Sequence, residues 1–519
     1  MSVLKRAAAF VALFLFAVPF AAAQDVTLSS RDGKVELSGT LLGFDGEFYR
    51  VETEYGELTV DGSGVLCEGP GCPNLQDFVA EVQMSGSATM GAVLMPALVD
   101  AFARRNGYTV SREALDPTRF DLLLTRTETG KLAARFGFRA TNTDEGFADL
   151  LADEADIVMA LREIRAEERI NAREAGMGDL TGNNRSRVLA LDAVVPVVSP
   201  SNPIKGISPL KLAQVFAGDI TNWQDLGGPD APIDLHLPIG SSGLSQAIED
   251  QVMTPAKLSL RDGITRHALP GDLADAVAKD TFALGISSFA ERRNTQVLTL
   301  TGTCGFSLDA ARRTIKTEDY PLTAPMFLYF PARRLPLIAR EFLAYTRGAG
   351  AQNVIRRAGF VDQTPEEIGI DAQGNRFANA ITVAGPETTL QEIQRMAATL
   401  TPMARLTTSF RFEAGSIRLD AQSRSNVQQL ARALEQGQYD ARKMLFVGFS
   451  DGNGAAKANR DIALRRAEAV LRAVSAAAVT ANLERIDLGV DAFGEAMPMA
   501  CDDSAWGRQA NRRVEVWVR

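Results

Sequence analysis

The sequence predicts a multidomain protein: a small N-terminal β module, a long α/β region and a C-terminal α/β domain with a mixed sheet. Its 519 residues are too many for one ordinary domain. Short strand-like segments separated by Asp-Gly and Tyr-Gly turns change near Glu81 to longer, alternating strand and helix patterns. Beyond a polar stretch at 361–382, a β-α-β-α-β order predicts a mixed sheet with helices covering one face.

We place the domain boundaries where the composition changes. A leader occupies residues 1–23, the β module 24–80 and the long α/β region 81–363. The C-terminal domain occupies residues 403–519. Between them, residues 364–402 are predicted to form a linker and a connecting helix, because four apolar residues recur at helical spacing: Leu390, Ile393, Met396 and Leu400.

The leader has the pattern of a secretory signal peptide. Lys5 and Arg6 precede an apolar run at 7–20, and three alanines follow before Gln24. The alternative, a transmembrane anchor, fits less well because the run is short and no later stretch is long and apolar enough to span a membrane as a helix. We therefore expect an exported, periplasmic protein.

Composition and charge argue against several classes of function. The formal net charge is −9 at pH 7, whereas non-specific nucleic-acid binding requires a basic face. The two histidines, His236 and His267, lie in segments typical of structural or solvated positions. The sequence has no cysteine–histidine cluster, so a zinc site is not expected. We expect no enzymatic activity, no cofactor and no nucleic-acid partner.

The β module is predicted from short alternating segments with glycine-containing turns between them. Cys67 and Cys72 bracket a turn-forming Glu-Gly-Pro-Gly, so a local disulfide is expected in an oxidising compartment. For Cys304 and Cys501 the sequence leaves three alternatives: buried thiols, a pair with each other, or partners of the first two. We expect a docking or spacer role for the module.

Two loops rich in glycine and serine open helices in the long α/β region, at 85–90 and 239–245. Backbone N–H groups, hydroxyls and the positive end of a helix dipole make such loops natural anion sites. Serine and threonine at helix starts more often act only as caps. A strand beginning at Ala155 ends in Arg162.

In this order the features resemble the phosphate-binding periplasmic proteins of ABC transporters, which have a two-lobed type II fold that closes on its ligand. The resemblance covers residues 81–363 and implies an anion site of six residues: Gly86, Ser87, Thr89, Arg162, Ser242 and Gly243. The chain departs from the family at three positions, where Leu161, Pro238 and Leu244 replace serine, arginine and threonine. A buried dianion without charge partners is costly, so a less charged oxyanion or a protein-binding scaffold are alternatives to phosphate.

The most informative stretch is at 448–470. A strand-like run leads into a loop with Asp451, and a helical pattern begins at Asn459. Arg466 lies about two turns into that helix. A carboxylate and a guanidinium placed in this way can bind the ammonium and the carboxylate of a small zwitterion.

This stretch resembles the OmpA-like peptidoglycan-binding domain, which it matches at Asp451, Asn459, Ile462, Ala463, Arg466, Ala467 and Val470. Residues 507–518, GRQANRRVEVWV, resemble the closing strand of the same family. The resemblance implies that Asp451 and Arg466 hold the diaminopimelate of the peptidoglycan stem peptide. It also implies that the same pocket is shaped by Asn459, Asn511 and Arg512.

Together these patterns predict a non-catalytic periplasmic protein that attaches to peptidoglycan, in association with the cell wall and outer membrane, and carries an anion- or solute-binding module. One alternative is a solute receptor for an ABC phosphate or oxyanion transporter. Another is a degenerate binding fold that serves as a scaffold for an envelope protein partner. Wall attachment restricts the diffusion that a receptor needs to reach its permease, which favours the first interpretation.

Overall fold

The structure is a computed structural model that describes residues 25–75, 78–182, 184–240, 242–385, 387–413 and 415–519. The predicted signal peptide therefore lies outside the described residues. The chain divides into two compact units, one ending at Ala80 and one beginning at Glu81, and each is described by itself. None of the helices within the described ranges is long and apolar enough to cross a membrane.

The N-terminal unit is a five-stranded antiparallel sheet in the order β4-β3-β2-β1-β5. Its strands are β1 (Val26–Ser30), β2 (Glu36–Phe44), β3 (Phe48–Thr53), β4 (Gly56–Asp61) and β5 (Val65–Glu68). The buried core consists of Val26, Leu28, Tyr49 and Val51. Cys67 at the end of the sheet forms a disulfide with Cys72. So small a core contributes little stability, and the covalent link adds to it.

The binding-protein-like region comprises the elements from β6 to β19 and from α1 to α10. Its strands are β6 (Ala80–Ser87), β7 (Tyr108–Ala114), β8 (Arg119–Arg126), β9 (Leu132–Thr141), β10 (Ile157–Ala160), β11 (Ser186–Val198), β12 (Gly206–Ile207), β13 (Asp234–Pro238), β14 (Thr265–His267), β15 (Ala283–Ser288), β16 (Gln296–Val297), β17 (Thr299–Thr301), β18 (Ser307–Leu308) and β19 (Thr323–Tyr329). Its helices are α1 (Met95–Arg105), α2 (Thr143–Leu151), α3 (Ala166–Glu174), α4 (Pro209–Ala217), α5 (Gly243–Ile248), α6 (Thr254–Ala256), α7 (Pro270–Lys279), α8 (Arg312–Lys316), α9 (Leu337–Tyr345) and α10 (Ala349–Arg357).

Strand β11 joins two lobes of this region. Its first part, residues 186–193, pairs with β19, and its second part, residues 194–198, pairs with β15. The first lobe contains β6 to β10 and β19, and the second contains β13 to β15. In the first lobe β10 runs parallel to β6, so the carboxyl ends of both strands meet at one edge of the sheet. Ligands of open α/β sheets bind at such edges.

The C-terminal domain is a five-stranded mixed sheet in the order β20-β21-β24-β22-β23, in which β22 and β23 are parallel. Its strands are β20 (Glu367–Ile368), β21 (Ala404–Phe410), β22 (Lys443–Phe449), β23 (Asp487–Gly494) and β24 (Arg513–Val518). Its helices are α11 (Gly374–Thr382), α12 (Leu390–Leu400), α13 (Ala421–Glu435), α14 (Ala456–Ala477) and α15 (Ala505–Asn511).

Helices cover both faces of this sheet, so the expectation of one covered face is wrong. Helices α13 and α14 pack on one face, whereas α11 and α12 pack on the other. Val516 and Trp517 of β24 point to opposite faces and are both fully buried, so each face requires a cover. Helix α11 lies within the polar stretch interpreted as a linker, and its Arg376 pairs with the buried Glu515 of β24.

Candidate functional site

The loop after β22 brings together the residues that resemble a peptidoglycan site. Near the end of β22, a Cβ on Gly448 would lie 2.0 Å from the carbonyl oxygen of Ala463 in α14, so this close approach requires glycine. Asp451 follows, and its carboxylate accepts a 2.6 Å hydrogen bond from Arg512. Arg466 projects from α14 close enough to Asp451 and Arg512 for their charges to shift its pKa.

Arg466 is held in this pocket with unused hydrogen-bonding capacity. It is only 5% exposed, and its guanidinium lies over the ring of Phe412, 5.1 Å from the ring centre. One terminal nitrogen is 3.4 Å from the carbonyl oxygen of Ser416, and Nε has no partner among the described residues. Burial, followed by repulsion from Arg512, lowers the pKa of Arg466. Two guanidiniums near one carboxylate leave a positive charge that an incoming carboxylate can neutralise.

Asn459 and Asn511 hold the pocket together. Asn459 donates to the carboxylate of Glu495 at 2.7 Å. Asn511 is fully buried and donates to Asp502 at 2.8 Å, and the other carboxylate oxygen of Asp502 accepts a 2.6 Å bond from the amide of Gly452. Asp502 therefore links α15 to the loop of Asp451. Its position so far along the chain offered no local signal.

Residues 448–452 also have the Gly-x-Ser-x-Gly spacing that positions a nucleophile in some hydrolases. Ser450 is 3% exposed, and its hydroxyl has no partner among the described residues. The two histidines are bonded to each other, with Nδ1 of His236 2.8 Å from Nε2 of His267, and neither forms a hydrogen bond with Ser450. Within the described ranges no group of side chains is arranged to hold a metal ion.

The end of β6 and the turn that follows it lie at the boundary between the two lobes. Gly86 has a φ of 129°, and a Cβ there would be 2.2 Å from the carbonyl oxygen of Met159 in β10. Ser87 is fully buried, and its hydroxyl lies 3.4 Å from the amide of Met90, from which it accepts a hydrogen bond. Thr89 is half-buried and directly precedes the first helical turn. The strand-to-helix geometry predicted for this loop is present.

Arg162 is already engaged by carboxylates. It forms ion pairs with Asp144 and with Glu168, the latter at 2.6 Å. Asp144 also accepts bonds from Gln246 of α5 at 2.8 Å and from Arg165 at 3.1 Å, so polar contacts bridge the lobes at this point. The positive charge expected for an anion is therefore neutralised within the protein, which disfavours anion binding here.

Ser242 and Gly243 begin α5 where the lobes approach closely. The hydroxyl of Ser242 accepts a 3.1 Å bond from the amide of Ser245 and so caps the helix. A Cβ on Gly243 would lie 2.8 Å from Leu161, which is 4% exposed. The leucine that replaces the family's serine thus fills the space beside this loop. The apolar Leu161 and the ion-paired Arg162 therefore stand where the family resemblance implies a serine hydroxyl and an arginine that contacts an anion.

The C-terminal domain is fastened to the binding-protein-like region by covalent and ionic contacts. A disulfide joins Cys304 to Cys501, which are 197 residues apart in sequence. Arg405 of β21 is 1% exposed and donates to both carboxylate oxygens of Asp319, at 2.7 and 3.0 Å. Behind this pair the fully buried Glu515 is surrounded by three guanidiniums, those of Arg376, Arg405 and Arg513.

Comparison with known families agrees with this architecture. Residues 56–348 match the family described as PBP superfamily domain, which is more than half of the 519 residues. The chain belongs to the PBP superfamily. Residues 411–512 match the OmpA family. The resemblance of the two parts of the chain to these families is confirmed, and so is the multidomain fold class.

Similar sequences in the PBP superfamily include phosphate-binding proteins. The phosphate-binding protein PstS of Bacillus subtilis is 26% identical over 192 residues, which are 36% of this chain and 61% of that relative. Protein SphX of Synechococcus elongatus is 25% identical over 234 residues, which are 43% of this chain and 67% of that relative. This PBP superfamily chain thus spans 61% of the length of the Bacillus protein.

Two solved structures each resemble part of this PBP superfamily chain. An ABC-type phosphate transport receptor from Vibrio cholerae aligns with 54% of this chain and 99% of its own, at 19% identity and a TM-score of 0.41. The peptidoglycan-associated lipoprotein from Burkholderia pseudomallei aligns with 22% of this chain and 90% of its own, at 25% identity and a TM-score of 0.19.

Proposed function

We propose that this protein is a non-catalytic envelope protein that attaches to peptidoglycan through its C-terminal OmpA domain and carries the binding-protein-like region as a firmly held module. The observation that supports this most directly is the buried, incompletely bonded Arg466 beside the ion pair of Asp451 and Arg512. A carboxylate of diaminopimelate would bind Arg466, and its ammonium would bind Asp451.

The different contacts of the two Asp451 carboxylate oxygens support this assignment. Arg512 contacts Oδ2, whereas Oδ1 has only a long contact, 3.4 Å, with the amide of Asn453. Oδ1 is thus available to accept hydrogen bonds from a ligand ammonium while Arg512 keeps the carboxylate in place. In this arrangement neither partner of the existing ion pair has to be displaced, so the charge of Asp451 is never left unpaired.

For the binding-protein-like region we propose a scaffold that presents a surface to an envelope protein partner. Its Bacillus subtilis relative bears the name of a phosphate-binding protein, which would support an oxyanion receptor. Against orthophosphate stand the neutralised Arg162 and the apolar contact between Leu161 and Gly243. The disulfide between Cys304 and Cys501 also ties this region to the wall-binding domain, which suits a fixed platform better than a diffusing receptor.

Co-sedimentation of the full-length protein with purified sacculi tests the attachment. Asp451→Ala and Arg466→Ala each remove one half of the site, and each should weaken binding by about tenfold or more, because a charge-assisted hydrogen bond contributes about 1.5–3 kcal/mol. Arg465→Ala, at the exposed neighbouring arginine, is the matched control and should sediment like wild type. Wild-type sedimentation of a folded Asp451→Ala/Arg466→Ala protein would contradict the proposal.

A further inference from the structure

Positive charge is concentrated not only at Arg466 and Arg512 but also in a cavity between the binding-protein-like region and the C-terminal domain. A cavity of about 520 Å³ opens between the start of β11, the turn from α9 to α10, and helix α13. The described residues that line it include no aspartate or glutamate but four arginines: Arg187, Arg347, Arg424 and Arg432. In a protein with a formal net charge of −9, such a group of one sign is unusual and attracts anions.

Three of these arginines lack a carboxylate partner. Arg424 pairs with Glu163 at 2.9 Å. Arg187, Arg347 and Arg432 form no ion pair with a described carboxylate, and the charge of Glu435 acts on Arg432 only from a greater distance. The hydrogen bonds that Arg187 donates go to a backbone carbonyl and a threonine hydroxyl. Burial, together with repulsion by Arg347 and Arg432, lowers the pKa of Arg187 to about 9. Like charges held together in a partly buried place are stabilised by a bound anion.

A buried amide without partners also faces this cavity. Gln363 lines it and is only 8% exposed, and neither its Oε1 nor its Nε2 has a hydrogen-bond partner among the described residues. The buried Nε of Arg187 is likewise without a partner there. A buried polar group left unpaired costs about 1–3 kcal/mol. A ligand that supplies both acceptors and donors would satisfy these groups.

We propose that this cavity binds a multiply charged anion that also carries hydroxyl groups, such as a phosphate ester of a polyol or a hydroxylated polycarboxylate. The guanidiniums of Arg187, Arg347 and Arg432 neutralise its charged groups, for which their planar fork of donors is suited. Amides and hydroxyls on the walls bond its hydroxyl groups, among them those of Ser186, Gln352, Ser425, Gln428 and Gln429. The volume lies in the range of small-molecule sites, about 300–1,000 Å³.

This site is separate from the Asp451 pocket and from the loops between the lobes. Arg187 and Arg347 belong to the binding-protein-like region, whereas Arg432 belongs to α13 of the C-terminal domain. A ligand that contacts all three therefore strengthens the connection between the two parts of the molecule. The proposal is independent of peptidoglycan binding.

Thermal-shift titration of the full-length protein with pyrophosphate and with citrate tests this site, with orthophosphate and neutral glycerol alongside. At least one of the two polyanions should raise Tm, orthophosphate should do so less, and glycerol should have no effect. The larger shift identifies phosphate or carboxylate as the preferred charged group. Arg347→Gln and Arg432→Gln should each weaken the apparent affinity by about tenfold or more, and added salt should weaken it in wild type.

Arg104→Gln removes an exposed arginine of α1, 77% exposed in its side chain, and should titrate like wild type. Because the cavity arginines repel one another, Arg432→Gln without ligand should melt at or above the wild-type temperature, which separates lost binding from misfolding. The proposal is overturned if neither polyanion raises Tm, or if both cavity variants titrate like wild type. Binding to sacculi should be unchanged in the cavity variants, so the two proposals fail separately.

Discussion

Removal of the disulfide between Cys304 and Cys501 should lower the stability of the unit that begins at Glu81. In the chain-entropy description, a cross-link spanning 197 residues restricts the unfolded chain by roughly 5 kcal/mol, whereas a link spanning 5 residues, such as that of Cys67 and Cys72, contributes about 2 kcal/mol. The first value is an upper bound, because a real unfolded chain is already compact. We expect Cys304→Ser/Cys501→Ser to lose about 3–5 kcal/mol while remaining folded, since the buried pair of Arg405 and Asp319 is kept.

Urea unfolding followed by tryptophan fluorescence measures this loss without interference from the β module. All three tryptophans of the chain lie after Glu81: Trp223, Trp506 and Trp517. Trp506 sits at the domain junction, where its indole donates to the carbonyl of Gln251 at 2.6 Å. The matched control, Cys67→Ser/Cys72→Ser, should leave the fluorescence transition unchanged. An unchanged transition in Cys304→Ser/Cys501→Ser, or an equal shift in both double variants, would refute the reasoning.

Three further substitutions test other contacts. Glu515→Gln leaves the guanidiniums around it without their central carboxylate and should cost roughly 3–5 kcal/mol in urea unfolding; a wild-type midpoint would speak against the buried cluster. Burial, and then Asp420, raises the pKa of Glu318 to about 8 from 4.5, so the stability it contributes is complete below pH 4.5 and is lost as pH rises through 8. In wild type this loss of unfolding free energy between pH 4.5 and 8 is at most about 5 kcal/mol, and Glu318→Gln should abolish it. A stability–pH curve identical to that of wild type would exclude Glu318 as the titrating group. Gly448→Ala places a Cβ 2.0 Å from the oxygen of Ala463 and should lower Tm by several degrees; an unchanged Tm would contradict the packing of β22 on α14.

The C-terminal site could be predicted because its parts follow one another along the chain. Asp451 lies just after a strand, and Arg466 lies on the next helix, so helical periodicity alone indicates which helix face carries Arg466. The sequence did not reveal how deeply the charged groups are buried or which residues contact them. Arg466 is buried over an aromatic ring, and Asn511 and Asp502 tie the loop in place from the far end of the domain. Those contacts depend on tertiary packing, which local spacing does not encode.

Prediction failed where two distant segments meet. Arg162 was expected to contact an anion at a strand end, but α2 and α3 each bring a carboxylate to it. The cavity arginines come from strands and helices on both sides of a domain junction, so no stretch of sequence contains a basic run. The segment at 374–382 has the polar composition of a linker. It forms a helix whose Arg376 is buried against Glu515, a pairing that composition cannot reveal.

Diaminopimelate differs from lysine by one carboxylate, the group that we assign to Arg466. Isothermal titration of the full-length protein with a stem peptide that contains diaminopimelate therefore tests the central claim most directly. We predict measurable binding of this peptide and about tenfold or more weaker binding of the matching lysine peptide, because the latter leaves Arg466 without its carboxylate. In Arg466→Ala the two peptides should bind alike. Equal affinity of the wild-type protein for both peptides, or no heat with either, would contradict the assignment.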